Sequence, residues 1–169
     1  MGLRLILTRH AKSSWDDPLL DDIDRGLNAR GQRDAQRVGH WLSTKGYLPA
    51  QAMISAARRT QETWSRIQSV AGIGNTEFTL HQGLYLASSD RILQQLRNAQ
   101  ADTVILIAHN PGIGDFAARF ASAPPAHVDF ARYPTCATTV FDVAAENWSQ
   151  VLFGANTVVD FCIPRDLTD

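Results

Sequence analysis

Two cysteines in 169 residues are too few for a disulfide framework. Cys136 and Cys162 lie far apart in apolar surroundings, and no C-x-x-C occurs, so both read as buried free thiols of a reducing compartment. Charge of one sign is also lacking. A net charge of −1 excludes the broad basic footprint that nucleic acid or anionic lipid requires, but leaves room for a local basic pocket. No apolar run approaches the ~20 residues of a membrane span. The N-terminus has no basic segment, long apolar stretch and small-residue cleavage site in succession, so no signal peptide and a cytoplasmic location are expected. There is no internal repeat, low-complexity tract or interdomain linker. What is present is an ordinary globular composition, 44% hydrophobic and 20% charged, sufficient for one domain over residues 1–169.

The strand and helix patterns alternate. Leu3, Leu5, Ile6 and Leu7 predict a buried strand ending in Arg9-His10. A polar connection follows to Asn28, and loops of that length are usually functional. Its five aspartates (16, 17, 21, 22 and 24) do not make a calcium loop. Gly26 follows Asp24 too soon, and Arg33 stands where a bidentate Glu should be. Ala35, Val38, Trp41 and Leu42 give one face of a helix over 29–45, with Gly46 as its C-cap. A strand over 51–54 leads into a second helix that Ser55 is placed to cap and that runs to about Ala71. A short strand is predicted over 77–80, and a helix capped by Ser88 or Ser89 runs to about Asn98. Thr103 to Ala108 is a continuous β-favouring run suited to burial on both faces. Pro111 then opens a helix through Phe116 and Phe120. Two strands, over 137–143 and 150–154, are expected to form a hairpin, with 158–162 as one more edge segment. This order predicts an α/β three-layer sandwich: a central, mostly parallel sheet flanked by helices on both faces, with an antiparallel edge.

Two of these strands end in histidine, His10 and His109, and a third leads to Arg58 and Arg59 at a helix start. In a parallel sheet the C-terminal strand ends share one rim, where ligands bind. Arg9, His10, Arg59 and His109 therefore converge into an anion site. Arginine forks match phosphate oxygens, and helix N-termini add N–H donors. Phosphoryl transfer needs an in-line nucleophile and neutralisation of the equatorial oxygens. A neutral imidazole is a competent nucleophile, the arginines take the place of a metal, and a protonated second histidine donates to the phosphate. No His, Cys and Asp spacing suggests a metal site, and no cofactor is expected. His40 reads as exposed or structural, His81 and His127 as loop residues, and Trp41 and Trp64 as core.

These segments also carry a resemblance. Leu7-Thr8-Arg9-His10-Ala11-Lys12 resembles the Arg-His-Gly signature of the histidine phosphatase (phosphoglycerate mutase-like) superfamily. Ser55 to Thr63 resembles its second-arginine motif, and aligning the serines selects Arg59 over Arg58. Ile107-Ala108-His109-Asn110-Pro111-Gly112 resembles its second-histidine motif. The compact length, the Arg25 to Gly31 segment and the His-Asn-Pro-Gly form are most similar to the SixA-type phosphohistidine phosphatase branch. The resemblance implies that His10 accepts the phosphoryl group, that Arg9 and Arg59 hold it, that His109 completes the pocket and that Ser13 adds a phosphate contact. Ala11 stands in place of glycine, Ala56 of proline and Glu62 of glutamine. Relatives acting on phosphate monoesters place a glutamate near Gln82, which cannot donate a carboxylic proton. The resemblance thus implies a phosphohistidine substrate on a protein, such as a phosphotransfer domain in a signalling or sugar-uptake relay. Its partners are a phosphohistidine-bearing protein or a small phosphorylated substrate, without nucleic acid or membrane, and a monomer is favoured.

Three alternatives stand beside this reading. A small-molecule monoesterase of the same superfamily would need an acid in the pocket, for which Asp16, Asp22, Asp24 and His81 are the candidates. A silent phospho-binding module would gain nothing from His10. Gly112-Ile113-Gly114-Asp115-Phe116-Ala117 fits a dinucleotide fingerprint, but His109-Asn110-Pro111 lengthens a turn that should be tight, and no second βαβ half follows.

Overall fold

A computed structural model describes residues 2–167. Its strands are β1 (Leu3–Arg9), β2 (Gln51–Ser55), β3 (Glu77–His81), β4 (Thr103–Ala108), β5 (Thr138–Val143) and β6 (Thr157–Cys162). The helices are α1 (Ala29–Lys45), α2 (Arg58–Ala71), α3 (Ser89–Leu96) and α4 (Gly112–Phe120). One sheet has the order β3-β2-β4-β1-β5-β6. The first four strands are parallel, β5 runs antiparallel to β1, and β6 antiparallel to β5.

The strand alternation feeds two cores. Leu5 and Leu7 of β1 join Val104 and Leu106 of β4 beneath Ile92, Leu96, Phe116 and Phe120 of α3 and α4. Ile6, Ile105 and Ile107 face the other way, onto Val38 and Leu42 of α1 and Trp64 and Ile67 of α2. β1 and β4 are therefore apolar at consecutive positions because both faces are covered. Trp64 is core, and Trp41 packs half-buried against it. Both cysteines are free and buried. No described helix is long and apolar enough to cross a membrane.

Local chemistry sets the helix ends. Asn28 caps α1 by accepting from Gly31 N at 2.8 Å, and Gly46 ends it in the left-handed region (φ 75). Ser88 caps α3. Pro111 stands at the cap of α4 rather than inside it, because the Asn110 side chain already accepts from Gly114 N at 3.0 Å.

Three expectations fail. Ser55 does not cap α2; Ala57 takes that position without a side-chain cap bond, and Ser55 is the last residue of β2. Residues 150–154 form no strand, so the hairpin partner of β5 is β6. Their carbonyls are taken sideways, Val151 O by Arg97 and Leu152 O by Asn156, leaving no ladder to join. His81 ends β3 instead of lying in a loop.

Gly112 shows how tightly α4 is seated. A Cβ there would stand 1.8 Å from the Ala87 carbonyl oxygen, a backbone atom with no room to yield. Gly112→Ala should destabilise the fold by about 2–3 kcal/mol, read as a lower denaturant midpoint at unchanged slope.

Candidate active site

The sheet order brings the chemistry together. β1 hands over directly to His10 and its neighbour β4 to His109, with Arg9 in register with Ala108. The two imidazole centroids lie 5.3 Å apart. On the far side of β4, β2 ends at Ser55, and the first turn of α2 supplies Arg59. Arg9, His10, Arg59, His109 and Ser13 all line one cavity of about 240 Å³. Arg58 does not; it is exposed and bonds Glu62 at 3.0 Å.

His10 is held in one tautomer. Its Nδ1 lies 2.7 Å from the Ala11 carbonyl oxygen, which can only accept, so Nδ1 carries the hydrogen and Nε2 keeps its lone pair. Burial pushes the His10 pKa down to about 3, against the Ala11 hydrogen bond and with the help of Arg9, Arg59 and Arg25. His10 is thus neutral and nucleophilic near neutral pH. His109 is likewise pushed down to about 3, by burial first, then by His10 and Arg59. A protonated second histidine is therefore not the form of the empty site.

Each arginine is anchored by its outer edge. Arg9 Nη1 donates to Tyr133 O at 3.1 Å. Tyr133 sits at φ 49, a strained conformation for a tyrosine, fixed by its hydroxyl on Leu7 O and by Asn110, which donates to its carbonyl. Arg59 donates from Nη1 to Asp22 O at 2.8 Å and from Nη2 to Asp22 Oδ2 at 3.0 Å. This leaves Arg9 Nε, Arg59 Nε and His109 Nδ1 buried with no partner among the described residues. A buried unpaired donor costs about 1–3 kcal/mol. All three atoms belong to residues that line the one cavity.

Sequence reasoning missed three residues here, Arg25, Ser55 and Tyr85, and gave a fourth, Asp22, the role of a candidate proton donor. Arg25 is 7% exposed, lines the cavity, and donates to Ser13 Oγ at 2.7 Å. It reaches the site because Ser13 and Leu27 form a β-bridge that folds the long loop back. Asp22 accepts from Arg25 through Oδ1 and from Arg59 and Tyr85 Oη through Oδ2. Burial acts to raise the Asp22 carboxyl, but hydrogen bonds from Tyr85, Arg59 and Arg25 outweigh it and hold the group below the ordinary carboxylate range. Ser55 Oγ lies 2.7 Å from His109 Nε2. The Arg25 to Gly31 segment was a visible signal for Arg25; Ser55 and Tyr85 had none. Among the described residues no group of three or more His, Cys, Asp or Glu side chains is placed to hold a metal ion.

A neutral histidine at the end of a parallel strand, flanked by arginines and a second histidine, lines a basic cavity on a phosphoglycerate mutase-like α/β fold. The chain belongs to the histidine phosphatase superfamily, whose branch 1 model matches residues 5–85, and at that level it is a phosphatase. An uncharacterised chloroplastic protein of Arabidopsis thaliana is 31% identical over 157 residues, 87% of this chain and 69% of that one. A candidate phosphohistidine phosphatase SixA of Nakamurella multipartitia superposes with a TM-score of 0.79 at 25% identity, covering 97% of each chain. A protein histidine phosphatase SixA, solved with tungstate, superposes at 0.77 with 17% identity over 97% of this chain and 99% of that one.

Proposed function

We propose that this protein hydrolyses phosphohistidine on a partner protein through a phosphorylated His10, within a single domain acting in the cytoplasm and without a cofactor. The phosphoryl group enters with its oxygens toward Arg9 Nε, Arg59 Nε and His109 Nδ1, with Ser13 and Arg25 beside them. His10 Nε2 attacks phosphorus in line; the P–Nε2 bond forms as the bond to the leaving imidazole breaks. Water then attacks phosphorus, the P–Nε2 bond breaks, and phosphate leaves with the spare proton going to solvent.

The observation that carries the substrate class is the lining of the cavity, which among the described residues contains no Asp or Glu. Asp22, the adjacent carboxylate, is held ionised by three donors and has no proton to give. An alkoxide leaving group needs a positioned acid, an effect worth about 10²–10⁴-fold. The imidazole of phosphohistidine takes its proton from solvent. The rim adds support for a protein substrate. Trp15 is 74% exposed and stacks on Arg25 at 3.5 Å, Leu86 is 56% exposed beside the cavity, and Leu19 is exposed on the Trp15 loop.

The test is a paired turnover assay with chelator present. A phosphohistidine-bearing protein and phosphoramidate should exceed a panel of alkyl phosphate monoesters by at least about 100-fold in kcat/KM. Preference for a monoester would keep the His10 chemistry and overturn the substrate class.

A further inference from the structure

We propose that Ser55 is a positioning residue that fixes His109 as its Nδ1–H tautomer, so that the pocket binds the phosphoryl group with a neutral histidine donor. The inference rests on reading the cleft as a phosphoryl site. β2 and β4 pair in register up to Ile54 and Ile107, which carries the next residues, Ser55 and the start of the His109 turn, past each other at the strand ends. Ser55 Oγ lies 2.7 Å from His109 Nε2, and Ser55 is fully buried.

The direction of this hydrogen bond follows from the other partner of the hydroxyl. Besides His109, the one partner of Ser55 Oγ among the described residues is the Ala57 backbone N–H, at 3.5 Å, which is itself a donor. The hydroxyl hydrogen therefore goes to His109 Nε2, which must accept, and the ring proton sits on Nδ1. That Nδ1 is the buried nitrogen without a protein partner. A third group orienting the reactive one is the familiar logic of catalytic histidines.

The charges facing His109 explain why the device is needed. His10 and Arg9 from β1 and Arg59 from α2 oppose a second proton, Asp22 partly offsets them, and Tyr85 packs edge-on at 5.5 Å. In so cationic a pocket, donation cannot rely on protonation. It can rely on a tautomer. Ser55→Ala removes only the oxygen. The ring is then free to take the Nε2–H form usual for free imidazole, which turns a lone pair toward the phosphate.

The experiment uses the full chain, inorganic phosphate as probe and histidine ¹⁵N shifts as readout, so neither arm needs a substrate. Wild type should show His109 protonated at Nδ1 and bare at Nε2 at pH 7. Ser55→Ala should lose that pattern and bind phosphate about 10–100-fold more weakly, the order of a lost hydrogen bond to a charged group. Its affinity should recover as pH falls toward 6, where the bound phosphate draws a proton onto His109, while wild type stays nearly flat. Ser55→Thr, which keeps the hydroxyl, should restore the Nδ1–H signal. An Nε2–H signal in wild type overturns the proposal, as does a Ser55→Ala protein with unchanged tautomer and phosphate affinity within twofold. If the shifts and affinities hold while phosphohistidine is not cleaved, the substrate reading fails and the role of Ser55 stands.

Discussion

Replacing His10 by alanine is expected to abolish turnover, with a fall in kcat of at least about 10⁴-fold, or about 5 kcal/mol of transition-state stabilisation. The arginines and His109 would still bind phosphate, so KM should move far less than kcat. This asymmetry separates a nucleophile from a residue that merely helps binding. Quenching a reaction with labelled phosphoramidate should trap base-stable, acid-labile phosphate on wild-type protein and none on the variant. Activity surviving in His10→Ala would remove the centre of the mechanism.

The protonation of His10 and His109 has a consequence for stability. Both are held down to about 3 in the folded state, against about 6.5 in an unfolded chain. Above pH 6.5 neither state carries these protons and the two groups contribute nothing. As pH falls from 6.5 toward 3 the unfolded chain takes up protons that the native site refuses, so native stability falls across that window. Denaturant midpoints should decline from pH 6.5 to 4 in wild type. The decline should be shallower in His10→Ala, which loses one of the two groups and relieves the other. Inorganic phosphate should raise the midpoint, because it binds the native site and not the unfolded chain. A midpoint flat over this range would mean that the histidines titrate normally and that the pocket is wetter than its geometry implies.

The parts of this architecture legible in the sequence are those set by local rules. β1 and β4 announce themselves as apolar runs because both faces of the central strands are covered. α1 is bounded by features that residue type alone reveals, down to the glycine at Gly46. The convergence of His10, His109 and Arg59 follows from the rule for parallel strand ends. What could not be read depends on pairings across the fold. Ser55 looks like a helix cap to any spacing argument, since serine before a helix is a cap by default. Only the adjacency of β2 and β4 turns its hydroxyl to His109. Asp22 was one of five loop aspartates with nothing to distinguish it until Arg25, Arg59 and Tyr85 came to surround it. The run over 150–154 is apolar because Val151 is buried, not because it pairs.

Arg59→Ala should cost about 10³–10⁵-fold in kcat/KM, the range found when an arginine that neutralises a transferring phosphoryl group is removed. The geometry makes the effect specific to Arg59. Its two terminal nitrogens are committed to Asp22, so the guanidinium cannot swing away, and its Nε is buried without a partner among the described residues. Lysine keeps the charge but has no fork with which to hold Asp22 and the phosphate at once, so Arg59→Lys should recover little. Arg58→Ala is the control and should stay within twofold. The stability of the same variants should move the other way. In phosphate-free buffer burial first, and then the neighbouring Arg59, lower the Arg9 pKa, and the Nε atoms of both arginines are buried without a partner among the described residues. Removing Arg59 relieves that repulsion, while Asp22 keeps Arg25 and Tyr85 as partners. Arg59→Ala should therefore melt no lower than wild type without anion, and gain almost nothing from added phosphate where wild type gains several degrees. Such a crossing would show that the arginine serves the anion rather than the fold. An Arg59→Ala that loses activity only because it unfolds would assign Arg59 to the fold, and an Arg58→Ala that fails in its place would move the phosphate clamp to the other arginine.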